Sequence, residues 1–336
     1  MFTAGKPENT RILVVRLGAM GDILHTLPAV ASLKTGHPGS RLTWVVETRW
    51  APLLEGNPFV DRVVLLRRES TGSLLGSLRE LRGERYHFAV DFQGLLKSAL
   101  CATLARADRI FGFDYRLLRE RAAGLFYSER ALSGAAHVVD RNLELAAAAG
   151  APTTLRVFPL PPGRSEGELP AGAFVLASPL AGWRSKQWPA EHYRALGARL
   201  RAELGVPLVM NLPPGNADWL RQAGMEAEAV AHVSGLAGLI DATRRAAAVV
   251  GVDSGPLHLA AALAKPGAAI FGPTDPERNG PYGGTLRVLR SSSAVTTYKR
   301  NSSIEESMKQ VTPDQVFEAL RAALSEPGRS TECCAR

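Results

Sequence analysis

Arg11-Ile12-Leu13-Val14-Val15-Arg16-Leu17-Gly18-Ala19-Met20-Gly21-Asp22 runs from an apolar, β-branched stretch into a glycine turn, and an amphipathic stretch follows at once to residue 34. A buried strand that hands over to a helix through glycines is the opening unit of a doubly wound α/β fold. Such folds have parallel sheets and bind ligands at the carboxyl ends of their strands. Gly18 and Gly21 allow close backbone approach to a ligand, and the helix start offers unpaired N–H groups to an anion. The Gly18-Ala19-Met20-Gly21 spacing lacks the first glycine interval of the dinucleotide fingerprint. Asp22 reads two ways: as a cap that satisfies the first helical turn, or as a catalytic carboxylate at the end of the first strand.

Working outward, the same alternation of short strands and longer helices recurs in two blocks. The first block predicts strands at 11–16, 42–46, 63–66, 88–92 and 109–112, with helices at 22–34, 72–81, 95–105 and 138–149. Between 151 and 170 the chain reads APTTLRVFPLPPGRSEGELP, whose prolines cannot continue a helix or a central strand. The second block predicts strands at 173–178, 207–211, 248–253 and 268–271 and helices at 189–203, 236–247, 256–264 and 313–323. The division expected is therefore a domain at 1–150, a linker at 151–170, a second domain at 171–325 and a disordered tail at 326–336.

The 336 residues, 46% apolar and 21% charged, suffice for two domains that each bury their own core. Three cysteines, Cys101, Cys333 and Cys334, make neither a disulfide framework nor a zinc ligand set, so a reducing compartment is expected. Pro7, Glu8 and Asn9 stand where a signal peptide would be apolar, and no apolar run is long enough to span a bilayer. The net charge of +8 favours anionic partners. It is spread over both halves without basic runs interleaved with aromatics, which argues against nucleic acid.

Three further turns carry grouped polar residues. Val90-Asp91-Phe92-Gln93-Gly94-Leu95-Leu96-Lys97-Ser98 places an acid, an amide and a lysine at a helix start, where a lysine does little for the helix dipole and an anionic ligand would explain it. Asp91 and Lys97 also read as an ordinary cap and a solvated side chain. Arg106, Arg109, Arg116, Arg119 and Arg121 follow, either as a solvated face or as a holder of carboxylates and phosphates. Val252-Asp253-Ser254-Gly255-Pro256-Leu257-His258 ends a buried strand and opens a helix, so N–H groups and the Ser254 hydroxyl would cradle a diphosphate. His258 reads equally as a structural histidine. Gly272-Pro273-Thr274-Asp275-Pro276 adds a rigid turn at the next strand end, and the segment from Pro179 to Pro189 carries Trp183, Arg184, Lys186 and Trp188. Lys186 suits a phosphate, and Trp188 and Pro189 suit packing and capping. No HExxH, GxSxG, P-loop or Cys/His metal spacing occurs, which argues against metal and serine-hydrolase chemistry.

Gly21-Asp22-Ile23-Leu24-His25-Thr26-Leu27-Pro28, Trp44-Val45-Val46-Glu47, Asp91 to Ser98, Lys186-Gln187-Trp188-Pro189, Asp253 to His258 and Gly272 to Pro276, in that order, resemble glycosyltransferase family 9. The resemblance implies an α/β GT-B fold: two Rossmann-like domains whose parallel sheets face a central cleft, with acceptor on the first and donor on the second. It implies inverting, metal-independent transfer of L-glycero-D-manno-heptose from ADP-heptose to the Kdo sugar of the lipid A inner core, with no cofactor beyond the donor substrate. Asp22 would then be the general base. Lys186, Asp253, Ser254, Gly255, His258 and Thr274 would hold the donor, and Gly18, Gly21, Gln93, Lys97 and Arg119 would face the acceptor. A cytoplasmic enzyme with peripheral contact to the anionic inner membrane is the matching location. The chain departs from the family pattern in one loop. Leu212-Pro213-Pro214-Gly215-Asn216-Ala217-Asp218 stands where members commonly carry a donor-contacting glutamate, which leaves two alternatives: Asp218 or Asn216 substitutes for it, or donor recognition differs and the sugar is that of another family-9 transferase, such as a second heptosyltransferase.

Overall fold

The computed structural model describes residues 9–297 and 299–325, so the expected disordered tail lies outside the described residues. The chain forms two compact units, Met1–Pro161 and Pro162–Arg336.

The first unit contains strands β1 (Arg11–Val15), β2 (Arg41–Glu47), β3 (Arg62–Leu66), β4 (Phe88–Asp91), β5 (Ile110–Phe113) and β6 (Glu129–Ala131). Helices α1 (Met20–Leu24), α2 (Leu27–Gly36), α3 (Thr71–Arg82), α4 (Leu96–Leu104) and α5 (Val138–Ala148) connect or follow them. The sheet order is β3-β2-β1-β4-β5-β6 and every pair is parallel. The strand order reverses between β1 and β4, and their carboxyl ends are the two turns singled out above. Ile12 to Val15 and Phe88 to Asp91 are buried, as strands covered by helices on both faces must be.

The predicted helix at 22–34 is two helices. Pro28 in the first turn of α2 brings no N–H, and the interruption frees carbonyl groups upstream. Thr26 Oγ1 donates to the Asp22 carbonyl at 2.8 Å and Asn142 Nδ2 donates to the His25 carbonyl at 3.0 Å, so the break is satisfied by α1's own neighbours and by α5.

The second unit repeats the plan with β7 (Val175–Ser178), β8 (Leu208–Leu212), β9 (Ala229–Val233), β10 (Ala248–Val252), β11 (Gly267–Phe271) and β12 (Leu286–Arg290). Its helices are α6 (Ala190–Arg199), α7 (Trp219–Gln222), α8 (Leu236–Arg245), α9 (Gly255–Ala262), α10 (Pro276–Asn279), α11 (Glu306–Lys309) and α12 (Pro313–Ser325). The order β12-β11-β10-β7-β8-β9 is again all parallel and reverses between β7 and β10. A core of Val175, Leu196, Met210, Val250, Ile270 and Phe317 joins this sheet to α6 and α12. Both units thus have the Rossmann strand order, and each has one switch point where ligands bind in this architecture.

The segment 151–170 has neither helix nor strand, yet it does not stand free. Leu155 N–H donates to Ser32 Oγ at 2.8 Å and Asn57 Nδ2 donates to the Pro159 carbonyl at 3.0 Å, which fastens its first part to the first unit. Glu166 Oε2 accepts from Gly235 N–H at 2.7 Å, which fastens its later part to the second. The boundary between the units therefore falls at Pro161/Pro162, inside the segment 151–170 expected as the linker.

Candidate active site

At the first unit's switch point, Arg16 directly follows β1, and Asp22 sits in the first turn of α1. Arg16 is almost fully buried. Its Nη2 lies 2.7 Å from Asp22 Oδ1, and its Nη1 donates to the Phe92 carbonyl after β4. Asp22 Oδ2 accepts from Ala19 N–H at 3.1 Å, the backbone half of a capping box. The carboxylate therefore caps its helix with one oxygen and meets a guanidinium with the other, while about half of the side chain stays open to solvent. Both readings of Asp22 are compatible with this geometry, because a carboxylate has lone pairs beyond the two engaged here.

The turn after β4 is organised by Asp91, which is fully buried. Its Oδ1 accepts from Gln93 N–H at 2.9 Å and Gly94 N–H at 3.3 Å, and its Oδ2 accepts from Ser98 Oγ at 2.8 Å and Tyr127 OH at 2.7 Å. Burial pushes its pKa up against the pull of those four bonds. Gly94, at φ +67°, takes a left-handed conformation that leaves no room for a side chain, since a Cβ would come within 2.6 Å of Leu118. Asp91 is thus a structural residue. What it presents is Gln93, whose Oε1 accepts from Leu17 N–H at 2.8 Å and ties the two turns together.

Lys97 lies 3.6 Å from Glu47 Oε1 at the end of β2. Glu47 also pairs with Arg49 at 3.0 Å and Arg68 at 3.1 Å. Burial acts to raise the Glu47 pKa, and Arg68, Lys97 and Arg49 outweigh it, so the carboxyl sits below its ordinary value. Three cations around one carboxylate leave a local excess of positive charge. Arg119 is exposed, and its neighbour Glu120 accepts from Leu96 N–H at 2.7 Å, which sets Arg119 beside the start of α4. Gly18 faces protein: a Cβ there would lie 2.7 Å from Trp50 Nε1, so the missing side chain accommodates that indole.

At the second unit's switch point the sequence-predicted residues converge more closely. Lys186 Nζ, after β7, lies 2.6 Å from Asp253 Oδ2, after β10, and His258 Nε2 lies 3.4 Å from Asp253 Oδ1. Burial would raise the Asp253 pKa, but His258 and Lys186 hold it far below the usual carboxylate range. Asp253 is an ionised hub that fixes Lys186 over the start of α9. Lys186 also stands 4.4 Å from the Trp183 ring centre, and Arg300 lies over the same ring at 5.1 Å.

Ser254 occupies the N-cap position of α9 with extended backbone, yet its hydroxyl caps nothing. Its Oγ, Ser185 Oγ and Thr274 Oγ1 are buried and lack a hydrogen-bond partner among the described residues. Buried hydroxyls left unpaired cost stability. Three of them, one beside Lys186, one at a helix start and one in the turn after β11, together with the lysine, suit the oxygens of a diphosphate. Trp188 and Pro189 do as expected: Trp188 is buried with its Nε1 donating to the Val311 carbonyl at 2.8 Å, and Pro189 precedes α6. In the loop after β8, Asp218 pairs with Arg221 at 2.9 Å and is exposed, as is Asn216.

Three participants were not singled out from the sequence. Arg16 directly follows β1 and Glu47 ends β2, and that place at the carboxyl ends of the strands was their only signal. Ser185 stood inside the flagged turn, but its burial arises only when the chain folds. A cavity of about 700 Å³ opens at the opposite end of the first sheet, lined by Thr10, His37, His87, Asp108 and Arg109. It lies at the amino ends of β1, β4 and β5, away from the candidate residues. Two of its charged or polar groups are engaged, His87 Nδ1 by Arg11 N–H and Asp108 by Arg85.

Residues 75–309 match the family model for glycosyltransferase family 9 (heptosyltransferase). The chain is 32% identical to lipopolysaccharide heptosyltransferase 1 of Escherichia coli K12, over 84% of this chain and 93% of that protein. It is 33% identical to the protein of the same name from Pseudomonas aeruginosa PAO1, over 81% of each. Among solved structures, E. coli heptosyltransferase WaaC with ADP-2-deoxy-2-fluoro heptose superposes with a TM-score of 0.74 at 26% identity, covering 93% of this chain and 99% of that one. The chain belongs to glycosyltransferase family 9, and its two Rossmann units are those of a GT-B transferase.

Proposed function

We propose that this protein transfers L-glycero-D-manno-heptose from ADP-heptose to the Kdo of the lipid A inner core, with inversion at the anomeric carbon. The observation that carries the reading is the complementary equipment of two switch points in a chain of this family. One holds a half-exposed carboxylate beside surplus cations, and the other holds a lysine and unpaired hydroxyls around a helix start.

In this reading Asp22 takes the proton from the acceptor hydroxyl as that oxygen attacks the anomeric carbon, and the bond to ADP breaks. Arg16 orients Asp22. Lys186, held by Asp253, and the N–H groups at Gly255 meet the charge that develops on the departing diphosphate, with the hydroxyls of Ser254 and Thr274 completing its hydrogen bonds. His258 acts through Asp253. No metal is needed for that stabilisation, because the chain's own lysine and helix start supply it. Lys97, Arg68, Arg49 and Arg119 suit the carboxylates and phosphates of an acidic acceptor, with Gln93, Gly18 and Gly21 shaping the turn against it. Among the described residues no helix is long and apolar enough to cross a membrane. A lipid-linked acceptor then implies peripheral work at the cytoplasmic face of the inner membrane.

Asp22→Asn tests the reading against the alternative of a cap in a protein that only binds nucleotide sugar. With ADP-heptose binding followed by calorimetry and turnover by ADP release, the variant is expected to bind as the parent does. Turnover is expected to fall by about 10²–10⁴-fold. Unchanged turnover would make Asp22 a cap and nothing more.

A further inference from the structure

We infer that the solvent face of α4, with the turn Arg121–Phe126 packed beside it, is the surface on which this protein rests on an anionic lipid bilayer. The inference depends on the lipid-linked acceptor of the reading above and gives that contact a place in the fold.

Helix α4 already has a core face: Ser98, Ala99, Cys101 and Ala102 are buried. A helix that has met its packing needs on one side ordinarily carries polar residues on the other. Here the other side shows Leu96, Leu100 and Leu104, one turn apart, exposed by 39%, 41% and 39%. Leu125 in the adjoining turn is exposed by 81%. Contiguous exposed apolar side chains of this kind mark a contact surface.

The charge around the leucines decides what that contact is. Arg106, Arg119 and Arg121 are exposed and make no ion pair among the described residues. Asp108 is paired with Arg85 at 2.7 Å and Asp114 with Arg116 at 2.8 Å, whereas Glu120, which accepts from Leu96 N–H at 2.7 Å, keeps its charge, so the three arginines outnumber the unpaired acid and leave a net positive patch. An apolar stripe with exposed arginines just past its end and in the adjoining segment, and with positive charge in excess, fits a bilayer of anionic lipid, with leucines entering the headgroup boundary and guanidinium groups meeting phosphates. A second copy of the chain would set arginines against arginines. The stripe also begins at Leu96, next to Lys97 and the Gln93 turn, so a lipid-anchored acceptor would present its sugar at the first switch point while its acyl chains stayed in the bilayer.

The test is vesicle flotation of the full chain on phosphatidylcholine with and without phosphatidylglycerol, comparing the parent with a Leu100→Glu, Leu104→Glu, Leu125→Glu variant. The parent should bind only the vesicles containing phosphatidylglycerol and lose that binding as salt rises. The variant should bind them at least about tenfold more weakly. Transfer to an acceptor stripped of its acyl chains should be equal in both, which controls for folding; should the glutamates unfold the chain, Leu100→Gln with Leu104→Gln gives the same comparison. Equal vesicle binding by parent and variant would overturn the inference, as would binding without preference for anionic lipid. A parent dimer that the variant converts to monomer would overturn it too. If the transfer reading itself is wrong, the stripped acceptor goes unmodified by the parent while vesicle binding persists, so the two failures are separable.

Discussion

Arg16 and Asp22 sit six residues apart in sequence and meet because β1 ends where α1 begins. The guanidinium is nearly buried and anchored to the Phe92 carbonyl, so the Asp22 carboxylate has a fixed partner rather than a choice of solvent-facing rotamers. If Asp22 is the base of the proposed transfer, Arg16 contributes through orientation. Arg16→Met is therefore expected to lower kcat by about tenfold while leaving the donor KM unmoved, and Arg16→Lys is expected to recover part of the loss because it keeps the charge and loses the fork. Steady-state kinetics on both variants checks this: a rise in donor KM with kcat intact would place Arg16 in binding instead. Asp22 was legible in the sequence because its position after a strand and two glycines is a local pattern. Arg16 was not legible as its partner, because nothing in a strand-terminal arginine says which way its side chain turns.

At the scale of elements, the start of α9 is where the proposed transfer places the donor diphosphate. Ser254 stands at the N-cap position but leaves the cap unmade, and its hydroxyl is buried without a partner among the described residues. A serine kept for stability would bond the first turn. Ser254→Ala is thus expected to leave the thermal midpoint unchanged or slightly raised while weakening ADP binding by about tenfold, as loss of one hydrogen bond to a charged group implies. Calorimetry with and without ADP measures both, and a variant that loses stability without losing ADP would refute the assignment. The predicted strands that lie within the sheets match the structure to within two residues, because buried parallel strands are short apolar runs bounded by turns. Strands β6, β9 and β12 were missed, and all three are sheet edges. Glu129-Arg130-Ala131 and Leu286-Arg287-Val288-Leu289-Arg290 carry the charges that keep edges from pairing with other chains, and those charges hide the strand pattern. The break between α1 and α2 was hidden for another reason: its carbonyls are satisfied by Thr26 and Asn142, and Asn142 is distant in sequence.

For the molecule as a whole, two acids in different units carry the same pH signature. Asp253 and Glu47 are held below their ordinary pKa values by nearby cations, so each contributes stability that is fully present above its unfolded value, about 3.9 and about 4.3, and is lost as pH falls below it. Asp91 acts in the opposite sense, since burial raises it and its penalty appears as pH rises. Asp253→Asn should accordingly be less stable than the parent at neutral pH yet lose less stability between about pH 5 and about pH 3. Denaturant midpoints across that range check the sign, and parallel acid curves for the two proteins would show that Asp253 is not the hub described. The second unit's switch point was the more legible of the two, because Asp253, Ser254 and His258 lie within six residues on one turn, whereas the first unit's gathers Glu47, Arg68 and Lys97 from three separate segments. The measurement that tests the central claim most directly is ADP release from ADP-heptose with and without Kdo-lipid A, followed by the mass of the acceptor. Release that depends on the acceptor, with one heptose added to it, is the predicted result; no release, or release with the acceptor unmodified, would contradict the account.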